Sequence, residues 1–180
     1  MNVTKNPDVF NLRYPTGEFH AKQTYTIEET LQSIEKLKRL PGMYIEIAGT
    51  IKHKLNNTYR EGGWTALQVI NHLIDVYLNA YLRTKWLLTE KDAVLKPYNE
   101  NEFSKLADST FNDVDATLLL FKLLVNRFVF LLDSLKPESF GLSIYHPEYN
   151  TGYNLHKLVA MYTWHGYHHL AHLGIIKNNP

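Results

Sequence analysis

Four of the nine histidines in this chain fall between His165 and His172, in the stretch Trp164-His165-Gly166-Tyr167-His168-His169-Leu170-Ala171-His172. There are no cysteines, so disulfides, thiolate metal sites, Fe–S clusters and a cysteine nucleophile are excluded together, and imidazole is left as the soft metal ligand. An apolar stripe at helical spacing reads Leu155, Leu158, Tyr162, His165, His169, Leu173, Ile176. Two histidines therefore stand where the period calls for apolar side chains. At about 100° per residue, four residues advance about 40° around the axis and one turn along it, so both imidazoles project from one face, as a metal clamp requires. His172 lies one further turn along that face; His168 is displaced from His169 by about 100° and is the weaker candidate. An unpartnered polar group in a core costs about 1–3 kcal/mol. Something must satisfy these rings: a metal ion, or on the plainer reading ordinary hydrogen bonds or a wet face.

A second segment offers a third ligand. Gln68, His72, Asp75 and Asn79 form a polar stripe at helical spacing among apolar neighbours such as Leu67, Val69, Ile70, Leu73 and Val76. The stripe reads equally well as a solvated face. If His72 instead points inward to meet His165 and His169, three neutral imidazoles leave coordination positions open for water or substrate, as in catalytic zinc sites. Asp75, one turn after His72, is then a candidate proton acceptor or a hydrogen-bond partner behind the ligands, and His172 a candidate proton donor.

Absent motifs narrow the chemistry. His165-Gly-Tyr-His-His169 has no Glu after its first histidine, which excludes the HExxH arrangement with its built-in general base, and no GxSxG, P-loop or strand-associated GxGxxG is found.

Four periodic segments must position these residues. The first starts at Thr26, with Glu29 at capping-box spacing, and runs toward Ala48, with Pro41-Gly42 expected to bend or split it. The second starts at Thr65, with Gln68 completing a second box, and runs to about Glu90. The third follows Asn112-Asp113 through Leu118, Phe121, Leu124, Phe128, Leu131 and Leu135 until Pro137, and the fourth runs from Leu155 to about Lys177 after the turn-rich stretch 146–154. A long connection, roughly 91–111, separates the second from the third. An all-α fold follows, a four-helix bundle with one long crossover connection, built as a single domain over 1–180.

The 180 residues suit one core, and hydrophobic residues at 44% against charged residues at 21% oppose disorder. A net charge of +1 and the lack of a Lys/Arg stripe oppose nucleic-acid binding. The opening MNVTKNPDVFNLRYP has no apolar signal region, and the greasiest stretch, 118–132, is broken by Lys122, Asn126 and Arg127. A cytoplasmic protein without membrane association is the expectation.

Several local motifs occur together: Tyr14-Pro15-x-Gly17-Glu18-Phe19, Tyr59-Arg60-Glu61-Gly62-Gly63-Trp64-Thr65, His72-Leu73-x-Asp75, Lys96-Pro97-Tyr98-Asn99-Glu100, Tyr145-His146-Pro147-Glu148 and Trp164-His165-x-x-His168-His169-Leu170-Ala171-His172. In this order and spacing they resemble the DinB/YfiT superfamily, specifically its YfiT-like branch, over nearly the whole chain. The resemblance implies a four-helix bundle, usually a homodimer, holding a divalent metal, zinc or nickel, on three histidines that fall here on His72, His165 and His169. It implies a metal-dependent hydrolase acting on a small molecule, with metal-dependent thiol S-transferases such as bacillithiol transferases among the relatives. Asn71, Tyr77 and Tyr167 depart from histidines common in this branch, which leaves the ligands intact and the substrate open.

Three readings follow. In the first, a zinc ion on three imidazoles lowers the pKa of bound water to about 7 for attack on an electrophile. In the second it activates an external low-molecular-weight thiol, since the chain has no sulfur nucleophile of its own. In the third the metal only stabilises a binding module. The loop before His72 is expected to form part of the pocket wall through Tyr59, Arg60, Glu61 and Trp64, with Arg60 paired to a neighbouring acid.

Overall fold

The computed structural model describes residues 12–179; residues 1–11, which hold most of the opening stretch read above for a signal, lie outside them. Four long helices dominate: α1 Ile27–Thr50, α2 Ala66–Thr89, α3 Val114–Asp133 and α4 Leu155–Asn178. Both capping boxes form. The Thr26 hydroxyl accepts from the Glu29 amide while the Glu29 carboxylate accepts from the Thr26 amide, and Thr65 and Gln68 make the same reciprocal pair. Asp113 caps α3 through the Ala116 amide and Asn154 caps α4 through the Lys157 amide.

Pro41-Gly42 does not split α1, which continues to Thr50. Proline removes one intrahelical hydrogen bond, but Leu37, Leu40, Pro41 and Tyr44 are all buried on the core face, so packing on both sides of the gap holds the helix together. The third helix stops at Asp133, and Pro137 opens a separate 3-10 turn, Pro137–Gly141.

Helix α1 packs on α3 and α4, and α2 packs on the same two. The cyclic order is therefore α1-α4-α2-α3, which sets α2 and α4 side by side although most of the chain's second half separates them. Phe121 of α3 fills the centre between Tyr44 and Tyr77, edge-on to both at 5.4 and 5.1 Å.

The stretch 146–154 is more than a turn. It completes a two-stranded antiparallel hairpin, β1 Ser143–His146 and β2 Thr151–Asn154, with Asn150 at a φ of 47° at the bend and its side-chain oxygen accepting from the Tyr145 hydroxyl. The longest connection, between α2 and α3, holds one helical turn at Glu100–Phe103 and a 3-10 turn at Ala107–Thr110, and it meets the hairpin where the Leu95 amide donates to the Tyr145 carbonyl and the Tyr145 amide to the Ala93 carbonyl. Among the described residues no helix is long and apolar enough to cross a membrane.

Candidate metal centre

The position of α4 against its neighbours is fixed at Gly166. A Cβ there would lie 2.4 Å from the Tyr77 hydroxyl and 2.5 Å from Leu40 Cδ1, so only hydrogen lets the three helices approach this closely. The Tyr44 hydroxyl donates to the Gly166 carbonyl at 2.6 Å and the Tyr77 hydroxyl to the Tyr162 carbonyl at 3.0 Å. His165, next in sequence to this contact, is thereby aimed at α2. On α2, the capping box and Gly62, at a φ of 62°, set the entry of the chain. His72, two turns in, is 4% exposed while Gln68, Asp75 and Asn79 are only half-buried. The polar stripe of α2 is thus divided, and its histidine alone enters the core.

His72 Nε2 lies 3.3 Å from His165 Nε2, which lies 2.9 Å from His169 Nε2. The three ring nitrogens fall within 4.8 Å of one another. Ligands at about 2.0–2.1 Å from a tetrahedral zinc are about 3.3–3.4 Å apart, so the separations suit one divalent cation. Burial pushes the imidazoles of His72 and His165 down to about 3 and that of His169 well below its ordinary value, the neighbouring histidines adding to the effect on the latter two. At neutral pH all three are uncharged with lone pairs to donate. Three inward-facing ring nitrogens cannot all be satisfied by each other's single protons, and a bound cation would resolve that conflict.

A supporting layer surrounds the three rings. His172 Nε2 lies 3.2 Å from the Arg13 carbonyl oxygen, and His172 Nδ1 lies 3.3 Å from His169 Nδ1. A carbonyl only accepts, so His172 donates from Nε2, its Nδ1 accepts from His169 Nδ1–H, and His169 is left with a bare Nε2 facing His72 and His165. Tyr59 stacks on His172 at 3.8 Å, and Trp64 stands edge-on to His72 at 4.7 Å and parallel to His169 at 5.9 Å. His168 stacks on Trp164 at 4.7 Å, and its Nδ1 lies 3.4 Å from the Thr16 hydroxyl. His168, His169 and His172 also bring three nitrogens within 4.8 Å, but this second group borrows His169, and both nitrogens of His172 already have partners.

Other expected site residues stand elsewhere. Among the described residues no hydrogen bond joins the Asp75 side chain to the histidines; it lines a separate cavity of about 280 Å³ with Asn71, Asp108 and Ser109, and burial together with Asp108 raises its pKa to about 6. Arg60 donates to the Glu61 carbonyl oxygen, not to an acid, and Glu61 is exposed. Of the loop before α2, Tyr59 and Trp64 touch the histidine cluster.

A cavity of about 510 Å³ opens beside His165, lined by Phe19, Val76, Arg83, Tyr98, His146, Glu148, Lys157, Tyr162 and Trp164 among others. It gathers residues of the Phe19, Tyr98-Glu100 and His146-Glu148 motifs, scattered along the sequence, against α2 and α4. Arg83 was not legible as a site residue; the available signal was a cation among the buried positions Val76, Ala80, Thr84 and Leu87 of α2.

Comparison with known proteins agrees with this architecture. Residues 22–173 match the model of the DinB superfamily. A protein of Geobacillus thermodenitrificans named "Putative metal-dependent hydrolase" is 38% identical over 163 residues, 90% of this chain and 92% of that one. "Putative metal-dependent hydrolase YfiT" of Bacillus subtilis is 34% identical over 164 residues, 91% of this chain and 92% of that one. The solved structure of YfiT, described as having an unusual four-helix bundle topology, superposes with a TM-score of 0.88, covering 92% of this chain and 95% of that one. A mycothiol-dependent maleylpyruvate isomerase shares the fold at a TM-score of 0.66 and 16% identity, covering 84% of this chain and 64% of that one. A matching family model over most of the chain, relatives above 30% identity and a common bundle lead to one assignment: this chain belongs to the DinB superfamily, among its YfiT-like members.

Proposed function

We propose that the protein is a metal-dependent hydrolase of a small molecule, with one divalent ion, zinc or nickel, held by His72, His165 and His169. The observation that carries this reading is the convergence of three uncharged Nε2 atoms, with His72 and His169 buried and His165 half-buried, at 2.9 and 3.3 Å beside a cavity large enough for a substrate. The names of the relatives from Geobacillus thermodenitrificans and Bacillus subtilis support it. A zinc ion so held supplies a Lewis acid and a water acidified to about pKa 7.

The protein's own groups do the rest. His172 and the Arg13 carbonyl keep the His169 proton on Nδ1, and Trp64 and Tyr59 exclude water from the far side of the rings. The cavity admits substrate along the side of His165, between α2, α4 and the hairpin. Three neutral imidazoles would leave a bound cation its full charge, which would favour an electron-rich oxygen or sulfur of the substrate as a further ligand.

A turnover screen with esters, amides and thiol-plus-electrophile pairs, on metal-loaded and chelated protein, tests the proposal. Hydrolysis that requires metal and is lost in His169→Ala supports it. Turnover only with an added thiol replaces hydrolysis by thiol transfer, and turnover that survives chelation or the His169 substitution overturns metal dependence.

A further inference from the structure

Arg83 is a buried guanidinium, 7% exposed, on the wall of the cavity beside His165. Its Nη1 donates to the Tyr162 hydroxyl at 2.8 Å and its Nη2 to the Lys96 carbonyl at 2.7 Å, and among the described residues its Nε has no hydrogen-bond partner. Among the described residues no carboxylate comes within ion-pair distance of it; Glu100 and Glu148 line the same cavity without reaching it. A guanidinium stays protonated at any working pH, and a buried charge without a counter-ion is costly to leave unpaired. Two of its five donors are used, and the guanidinium lies 5.7 Å from the Tyr98 ring; three N–H groups are left for an anion's oxygens. Lys157, on the same wall, rests on the Tyr153 ring at 3.4 Å and likewise has no acid in reach. His146, 8% exposed, adds a buried Nδ1 without a partner.

We infer that Arg83, assisted by Lys157, is the anchor for an oxyanion, so that the substrate is a small molecule with a carboxylate or phosphate at one end and its reacting centre at the other. The inference rests on reading the three histidines as the reaction centre. The placement suits it: Arg83 follows His72 by eleven residues, within about 20° on the helix and about 16 Å along its axis, and Tyr162, which holds Arg83, is one turn before His165. A ligand clamped at Arg83 therefore extends along the cavity toward the triad.

Equilibrium dialysis of succinate and of inorganic phosphate against the full chain tests this, with chelator present so that neither anion can bind a metal. The wild type binds at one saturable site. Arg83→Gln weakens binding at least about tenfold, Arg83→Lys and Lys157→Met weaken it less, and His169→Ala leaves it unchanged. Preference for succinate assigns a carboxylate and preference for phosphate a phosphoryl group. Absence of saturable binding in the wild type, wild-type affinity in a folded Arg83→Gln protein, or loss in His169→Ala overturns the assignment. If Arg83→Gln does not fold, Lys157→Met decides, and wild-type affinity there also overturns it. Because the anion is measured without metal, failure of the metal assignment leaves this result standing, and the reverse holds too.

Discussion

His172 reaches His169 nitrogen to nitrogen, Nδ1 to Nδ1 at 3.3 Å, while its other nitrogen is held by the Arg13 carbonyl at 3.2 Å. The hydrogen bonds run in one direction, His169 Nδ1–H to His172 Nδ1 and His172 Nε2–H to the Arg13 carbonyl, and leave His169 Nε2 without a proton. Groups that orient a metal-binding histidine in this way are worth about ten- to a hundredfold in affinity. His172→Ala should therefore weaken metal binding by that factor, measured by competition with a chelator, yet still reach full occupancy at saturation. Unchanged affinity would mean that His169 is oriented without it.

Gly166 and Gly174 lie eight residues apart on α4, in contrasting surroundings. A Cβ at Gly166 would strike Tyr77 and Leu40, both fully buried, whereas at Gly174 nothing lies within 4 Å. Gly166→Ala should destabilise the protein by about 1–3 kcal/mol through overpacking, and reduce metal affinity by pushing His165 away from α2. Gly174→Ala should be neutral or stabilising by up to about 1 kcal/mol, because alanine is the better helix former. Urea unfolding of the two variants checks the contrast; equal effects would contradict it.

The pH dependence of the chelated protein follows from the buried rings. The pKa values of His72 and His165 fall from an ordinary 6.5 to about 3 on folding. Between those values the unfolded chain binds more protons than the folded one, so acidification favours unfolding, by about 1.4 kcal/mol per pH unit for each proton. Asp75 acts in the opposite sense, since its pKa rises from 3.8 to about 6 and the folded state is the one that takes the proton in that window. Glu100, also raised by burial, adds to Asp75, but the histidines lowered by burial, His72, His165, His168, His169 and His172, outnumber these two carboxyls. The urea midpoint of metal-free protein should therefore drop between pH 7 and pH 4.5; a flat or rising midpoint would show that the rings are not held neutral.

The helices and the two α4 histidines at core positions were legible because each rests on a local rule. Thr26 with Glu29 and Thr65 with Gln68 mark helix starts by hydrogen bonds that span three residues, and His165 and His169 stand out because they occupy an apolar stripe. The division of the α2 stripe was not legible. Spacing alone places Gln68, His72, Asp75 and Asn79 on one broad face, and only packing against α4 draws His72 in and leaves Asp75 beside Asp108. The hairpin was hidden because its strands have four residues each, too few for a period to show, and because Pro147 and Asn150 read as turn. Arg83 was hidden for a different reason: its burial depends on the Lys96 carbonyl and on Tyr162, which the fold brings from distant parts of the chain.

The proposed function requires that His72 from one helix and His165 and His169 from another hold a single ion. Elemental analysis of tag-free protein after saturation with zinc or nickel and removal of excess metal addresses it directly, with circular dichroism on the same samples to confirm that the helices remain. One equivalent of metal per wild-type chain is expected and, in each of His72→Ala, His165→Ala and His169→Ala, at least about a tenfold lower occupancy with the helical signal preserved. A full equivalent retained in any two of these folded variants would contradict it.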